Sequence, residues 1–119
     1  MLVLKWITHD TDGNWCSLDH LDLSAIQETG VYIIWHAGDP SRVVRIGQGK
    51  IGVRLARQRA DPKVQAYESF GLLVTWATAP LLQLDGIERY LADRWHPLVG
   101  GATPNAAPMA SSVSRSFMY

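Results

Sequence analysis

The chain has 119 residues and a mass of 13.2 kDa, and its 11 basic and 11 acidic residues give no formal net charge. This length predicts a single domain with one hydrophobic core and leaves no room for separate catalytic and substrate domains. With 47% hydrophobic and 18% charged residues, the composition excludes an intrinsically disordered chain. Zero net charge argues, by itself, against a protein that coats nucleic acid.

The charges are segregated along the chain, which weakens that last exclusion. Residues 1–41 contain six acidic residues and one lysine, whereas residues 42–63 contain seven basic residues and one aspartate. The zero is therefore the balance of an acidic first third and a basic middle. We expect an anionic partner to bind at the basic segment.

Cys16 is the single cysteine, which excludes an internal disulfide and a cysteine-based zinc site. No stretch approaches the roughly 20 apolar residues of a membrane span, and the first residues do not resemble a secretion signal. These observations predict a cytoplasmic protein without a membrane-spanning helix.

Residues 1–29 are expected to form an N-terminal extension with little regular structure. The first six residues alternate weakly between apolar and polar, as in a strand or an irregular segment. A cluster of Asp, Gly and Asn then predicts a turn. Asp22 or Ser24 is positioned to cap a short helix that ends before Gly30.

A β-hairpin is predicted after this extension. Residues 31–37 and 43–46 are rich in β-branched and aromatic residues, and the Gly-Asp-Pro-Ser segment at 38–41 is a strong turn signal between them. A third strand is predicted at residues 72–77, between a glycine and a proline.

Two helices complete the prediction. In the first, Val53, Ala56 and Ala60 recur at helical spacing before Pro62 interrupts the pattern. The second covers about residues 81–95, with apolar residues at Leu84, Ile87, Leu91 and Trp95. The element order predicts an α+β domain: a small, mostly antiparallel, three-stranded sheet flanked by helices.

Five features of the sequence occur in an order that resembles the GIY-YIG nuclease superfamily. They are Gly30-Val31-Tyr32 in the first hairpin strand, Arg45-Ile46-Gly47 in the second, Arg54 on the first helix, Glu88 on the second, and Pro104-Asn105 after it. The resemblance covers residues 30–108 of a single domain spanning 1–119. Residues 1–29 would then be an extension packed on this core, and 109–119 a polar C-terminal tail.

The resemblance implies an endonuclease that hydrolyses phosphodiester bonds in DNA with one bound Mg²⁺ or Mn²⁺ ion. It implies that Tyr32 orients or deprotonates the attacking water, that Arg54 binds the scissile phosphate, and that Glu88 holds the metal ion. Asn105 would support the site. Phosphodiester hydrolysis needs a group that activates water, a cation and often a metal-binding carboxylate, and the chain offers one of each. A single carboxylate suits Mg²⁺, which keeps much of its hydration shell.

Arg45 departs from the superfamily, in which the second tripeptide begins with tyrosine. An arginine cannot act as a base near neutral pH, although it can bind a phosphate or a water molecule. His36 is a candidate catalytic residue in its place, because it follows Tyr32 by four residues and a strand puts both on one face. Cleavage by this chain depends on whether Tyr32 or His36 is sufficient.

The remaining candidates are positively charged or small. Lys50, Arg57 and Arg59, with Arg45, are candidate nucleic-acid-binding residues on a solvated face that could contact phosphates. Gly30 and Gly47 are expected to support the site structurally by permitting close backbone approach in the hairpin.

Two alternative functions are left open by the sequence. The domain could bind nucleic acid without cleaving it, or it could be a small interaction module that retains only the scaffold. Each residue also has a structural explanation: Tyr32 could be a packing aromatic, and Glu88 could pair with a neighbouring arginine. The leading expectation is a DNA-cleaving enzyme, monomeric or weakly dimeric, with no membrane partner.

Overall fold

The structure, a computed structural model, describes residues 1–100 and 104–112. Its strands are β1 (Trp6–Ile7), β2 (Thr29–His36), β3 (Arg42–Lys50) and β4 (Leu72–Thr78), and its α-helices are α1 (Ile51–Arg59), α2 (Pro62–Gln65) and α3 (Leu84–Trp95). Short 3₁₀ helices lie at Leu23–Ala25, Glu68–Phe70 and Leu81–Gln83. The strands form one antiparallel sheet in the order β1-β4-β2-β3. The predicted α+β class is confirmed, but the sheet has four strands rather than three.

The additional strand comes from the N-terminal extension. β1 pairs with β4 through Trp6↔Ala77 and Ile7↔Trp76, and the Thr75 hydroxyl donates a hydrogen bond to the Ile7 carbonyl at 2.7 Å. The weak alternation of the first six residues left a strand or an irregular segment open, and a short strand forms at the end of that stretch. It forms because the edge of β4 has backbone groups that need partners.

β2 is the central strand, and its side chains alternate between two hydrophobic clusters. Tyr32 and Ile34 belong to the cluster covered by α1, whereas Val31, Ile33 and Trp35 belong to the cluster covered by α3. This is the two-residue period of a strand that is buried on both faces. The sheet therefore divides the expected single core into two layers.

The buried face of α1 differs from the predicted one. Ile51, Leu55 and Gln58 are buried, whereas Val53 is 52% exposed and the two alanines of the predicted set are exposed as well. Both sets recur at helical spacing, so periodicity alone does not choose between them. The larger side chains decide, because Ile and Leu bury more apolar surface than Val and Ala.

The second predicted helix is confirmed as α3. Its buried residues, Leu84, Ile87 and Leu91, are three of the four predicted, and it packs against β3 and β2. No helix in the described part of the chain is long and apolar enough to cross a membrane.

Residues 110–112, part of the predicted polar C-terminal tail, pair with the N-terminal segment. Ser111 is 2% exposed and bridges Leu2, and the Trp6 indole N–H donates to the Ser112 carbonyl at 2.7 Å. These contacts supply hydrogen-bond partners for the N-terminal segment, so residues 110–112 belong to the folded domain. Residues 113–119 of the predicted tail lie outside the described residues.

Substitutions on α1 test which face is buried. Leu55→Ala is expected to lower the free energy of unfolding by about 2–5 kcal/mol, because it leaves a cavity in the cluster beneath α1. Val53→Ala should change it by no more than about 0.5 kcal/mol. Urea denaturation followed by tryptophan fluorescence measures both, and equal losses would contradict this orientation of α1.

Candidate functional site

A polar pocket lies at the edge of the sheet beside β3, where α1 and α3 approach from opposite faces. Its volume is about 320 Å³, and it is lined by Tyr32, Arg45, Gly47, Gln48, Arg54, Arg57, Gln58 and Glu88. Side chains from β2, β3, α1 and α3 therefore meet in one place. Four of the predicted catalytic residues are among them, namely Tyr32, Arg45, Arg54 and Glu88.

The absence of a side chain at Gly47 shapes the pocket. Tyr32 pairs with Gly47 in the β2–β3 ladder, and a Cβ atom on Gly47 would overlap the phenol ring and hydroxyl of Tyr32. The phenol therefore lies across β3 and reaches the sheet edge. Gly30 also permits a close approach, but to the Ala77 carbonyl of β4 rather than within the hairpin.

Arg45 lies on the same face of the sheet as Gly47, two residues away in the regular ladder, and a β-bulge in β3 adjoins it. Ile34 of β2 pairs with Arg45, whereas the next residue of β2 pairs with Val43, so Val44 is an additional residue in β3. Directly paired residues share a face, and Ile34 belongs to the cluster beneath α1. Val44 belongs to that cluster too, so two consecutive side chains of β3 point to the same side, as a bulge allows.

Tyr32 is a buried phenol with a hydrogen-bond partner. Its side chain is 2% exposed, and the amide nitrogen of Gln58 donates to its hydroxyl at 3.2 Å. Burial raises the pKa of Tyr32, and this effect outweighs the lowering by the nearby Arg45 charge and by the Gln58 hydrogen bond. The phenol therefore keeps its proton at neutral pH and is available as a hydrogen-bond donor.

Glu88 is a half-buried carboxylate with an unusual environment. Burial raises its pKa, while a hydrogen bond from Gln48 and the charge of Arg45 lower it and the charge of Asp85 raises it. Gln48 also donates to the Asp85 carboxylate at 2.6 Å. Asp85 and Glu88 are three residues apart on α3, so both carboxylates lie on the helix face next to Gln48.

Glu88 is the carboxylate in the pocket lining that could hold a cation. Within residues 1–100 and 104–112, no three His, Cys, Asp or Glu side chains are grouped so as to hold a metal ion. Among the same residues the ion pair joins Arg89 and Asp93. Glu88 forms no ion pair with a cationic side chain there. One carboxylate fits Mg²⁺ or Mn²⁺, which retain water ligands, and does not fit Zn²⁺, which takes three or four protein ligands.

Three guanidinium groups face this one carboxylate. Arg45, Arg54 and Arg57 all line the pocket, and the buried Nε of Arg45 has no hydrogen-bond partner in the described residues. Like charges gathered in one place repel each other unless an anion binds between them. The pocket is therefore suited to an anion with several oxygen acceptors, such as a phosphate group.

His36 is not brought to this pocket. It is four residues from Tyr32 on β2, about 13 Å away at the usual strand rise, and its ring is 6% exposed. The ring stacks with Tyr67 and Phe70. His36 is at the end of β2 and Tyr32 is in the middle of that strand, so an even spacing does not bring their side chains together.

Four other predicted residues also lie outside the pocket lining, namely Gly30, described above, and Lys50, Arg59 and Asn105. The Arg59 guanidinium donates to the carbonyls of Leu18 and Leu21, at 2.9 Å and 2.8 Å, and so fastens the N-terminal extension rather than facing solvent. Lys50 is exposed at the start of α1. Asn105 is exposed in a bend after α3.

Gln48 and Gln58 are site residues that the sequence reasoning missed. Gln58 follows Arg54 by four residues, which places both on one face of α1, and Gln48 directly follows the second tripeptide. These spacings were a usable signal. Glutamine is common on protein surfaces, however, so its presence alone does not indicate a site.

Comparison of the chain with family models, with curated proteins and with solved structures finds no match. The function of the pocket is therefore inferred from its residues and their geometry.

The raised pKa of Glu88 predicts a pH-dependent effect on stability. A folded-state pKa above the unfolded value means that stability is lost as the pH rises through that interval. Glu88→Gln removes the ionisation and is expected to raise the free energy of unfolding at pH 7, with the gain vanishing below about pH 3.5.

Urea denaturation of both proteins across this pH range measures the effect. Glu28→Gln, at an exposed carboxylate outside the pocket lining, is the matched control and should change stability by no more than about 0.5 kcal/mol. A Glu88→Gln protein no more stable than the wild type at pH 7 would contradict the prediction.

Proposed function

We propose that this protein is a metal-dependent endonuclease that hydrolyses phosphodiester bonds in DNA, similar to the GIY-YIG nucleases. The observation that carries the proposal is the meeting of Tyr32, Arg54 and Glu88, from three separate elements, in one polar pocket. Such a pocket combines a hydroxyl donor, excess positive charge and a carboxylate, which are the groups that phosphodiester hydrolysis requires.

The arginines bind the scissile phosphate in this proposal. The planar guanidinium groups of Arg45, Arg54 and Arg57 offer pairs of donors that match phosphate oxygens. When water attacks phosphorus, negative charge builds up on those oxygens, and donors already in position stabilise it. The unpartnered Nε of Arg45 supports this role, because a phosphate oxygen would satisfy it.

Tyr32 orients the attacking water rather than deprotonating it. Its raised pKa keeps the hydroxyl protonated, and Gln58 holds that hydroxyl at the edge of the sheet. The water oxygen forms a bond to phosphorus as the bond to the leaving sugar oxygen breaks. The water proton passes to a phosphate oxygen or to solvent, since neither Tyr32 nor Arg45 accepts it at neutral pH, and the leaving sugar oxygen takes up a proton from solvent to become a hydroxyl.

Glu88 is the residue that would hold a Mg²⁺ or Mn²⁺ ion. A bound ion of this kind supplies additional charge stabilisation at the phosphate and lowers the pKa of a bound water. Gln48 lowers the pKa of the Glu88 carboxyl, which favours the ionised form that a metal ion needs.

A second function, binding nucleic acid without cleaving it, is favoured by a specific observation. In the superfamily each of the two tripeptides has a tyrosine, and here these positions hold Tyr32 and Arg45. Both side chains are protonated at neutral pH, because the pKa of Tyr32 is raised and an arginine keeps its charge. Neither can therefore act as a base in cleavage. Binding needs only the three guanidinium groups. It would show a salt dependence, because phosphate binding releases counterions.

Plasmid cleavage tests the leading proposal. The protein is expected to nick supercoiled DNA in Mg²⁺ or Mn²⁺, and Arg54→Ala and Glu88→Gln are each expected to lower the rate by about 100-fold or more. Gel electrophoresis of the plasmid over time measures the rate, with Glu28→Gln as the control that should cleave like the wild type.

Thermal unfolding of the same variants separates chemistry from folding. Arg54 is exposed, so Arg54→Ala should unfold near the wild-type temperature. A fall in unfolding temperature that accompanies the loss of cleavage would indicate a structural role. No nicking in either metal, together with a gel shift that weakens as salt rises, would overturn the endonuclease and support the binding function.

Metal binding is tested without reference to cleavage. Mn²⁺ is expected to raise the unfolding temperature of the wild type, because a ligand that binds only the folded state adds about 2.7 kcal/mol at 100 times its dissociation constant. Glu88→Gln should lose this shift and Glu28→Gln should keep it, as measured by differential scanning fluorimetry. An equal shift in all three proteins would contradict the role of Glu88.

A further inference from the structure

Phe70 is the exposed aromatic side chain of the described residues, and it lies outside the pocket. It is 53% exposed, whereas the tryptophan and tyrosine rings of residues 1–100 are buried or partly buried. We propose that Phe70 is a stacking platform for an unpaired base of single-stranded DNA. This inference rests on the proposed function of the pocket and specifies the form of the nucleic acid that it takes.

The ring of Phe70 packs against the ring of His36. The centroids of Phe70 and His36 are 4.8 Å apart with an interplanar angle of 29°, and His36 also stacks with Tyr67 at 5.9 Å and 7°. His36 is 6% exposed, and its Nδ1 lies 2.7 Å from the Ala37 carbonyl oxygen. A fixed ring loses little conformational freedom when a ligand stacks on it, which favours binding.

The platform and the pocket lie on the same side of the sheet. His36 and Tyr32 are separated by an even number of residues on β2, and Tyr67 packs against the cluster that contains Tyr32. Four strand residues span about 13 Å. This spacing of His36 and Tyr32 along β2 equals the length of about four nucleotides at the 3.4 Å rise of stacked bases, and of fewer in an extended strand.

A cation accompanies the platform. Arg42 is exposed and pairs directly with His36 in the β2–β3 ladder, so the two side chains share a face. Arg45 lies three residues further along the same strand, in the pocket. A strand with one phosphate in the pocket could therefore place a second near Arg42, while the exposed Glu68 beside Phe70 disfavours a phosphate directly over the ring.

The chemistry of stacking selects an unpaired strand. Every base offers a flat face to an aromatic ring, but in a duplex those faces are covered by neighbouring base pairs. A base reaches Phe70 only if it is already single-stranded or is unstacked at a cost of a few kcal/mol. We therefore expect single-stranded DNA, or a single-stranded overhang, to bind more tightly than blunt duplex.

Binding of a short labelled single-stranded oligonucleotide, measured by fluorescence anisotropy, tests the platform. A chelator in the buffer removes divalent metal ions and so prevents cleavage. Phe70→Leu is expected to weaken binding of single-stranded DNA by between about 5-fold and 140-fold, the range for loss of one base–aromatic stack. Phe70→Trp should retain affinity, because it restores a ring. Leu82→Ala, at a 98% exposed apolar residue elsewhere, is the matched control and should bind like the wild type.

An abasic walk then locates the stacked base. Removing the base at one position of the oligonucleotide should weaken binding to the wild type and have no effect on Phe70→Leu, because the same contact is already absent. Unchanged affinity of Phe70→Leu, or a base-removal effect of equal size in both proteins, would overturn the platform.

The outcomes also separate this inference from the proposed function. Plasmid nicking without any effect of Phe70 on single-strand binding would overturn the platform and leave the endonuclease. If the protein does not cleave DNA, but removing one base of the oligonucleotide weakens binding only when Phe70 is present, the result would support the platform and the binding function.

Discussion

The candidate site depends on one steric constraint: Tyr32 can cross β3 only because position 47 has no Cβ atom. A side chain there would displace the phenol, and Gln58 would lose its hydrogen-bond partner. The constraint is tied to register, because a one-residue slip between β2 and β3 would place Ile46 or Gln48 opposite Tyr32. The glycine of the second tripeptide and the tyrosine of the first are therefore two halves of one packing contact.

The same contact concentrates polar groups where burial is unfavourable. Burial raises the pKa values of both Tyr32 and Glu88, and the Nε of Arg45 is buried without a hydrogen-bond partner among residues 1–100 and 104–112. Each of these lowers stability relative to an apolar pocket. The two apolar clusters on either side of the sheet offset this loss, since they bury most of the large side chains of β2 and α3. Functional sites typically contain groups whose burial is unfavourable and which the rest of the fold must stabilise.

The sequence predicts the elements whose pattern has a single physical solution. The hairpin, β4 and α3 follow from β-branched runs, turn residues and one apolar stripe. The buried face of α1 cannot be predicted in this way, because Val53 and Leu55 belong to two different sets of residues that both recur at helical spacing. The bulge at Val44 is equally hidden, because one additional residue leaves the composition of β3 unchanged, yet it puts Val44 on the same face of the sheet as Arg45. His36 shows the limit of periodicity, which assigns a face but not a distance.

Overall neutrality does not conflict with a phosphate partner once the arginines are sorted by their contacts. Arg59 is engaged by carbonyl groups and Arg89 by Asp93, so neither adds to the charge available for a ligand. Arg45, Arg54 and Arg57 face one carboxylate in a pocket of about 320 Å³. The acidic residues of the N-terminal extension cancel this charge at long range, where salt also screens it, but not within the pocket. Long-range attraction of a polyanion is therefore expected to be weak, and affinity is decided by contacts at short distance.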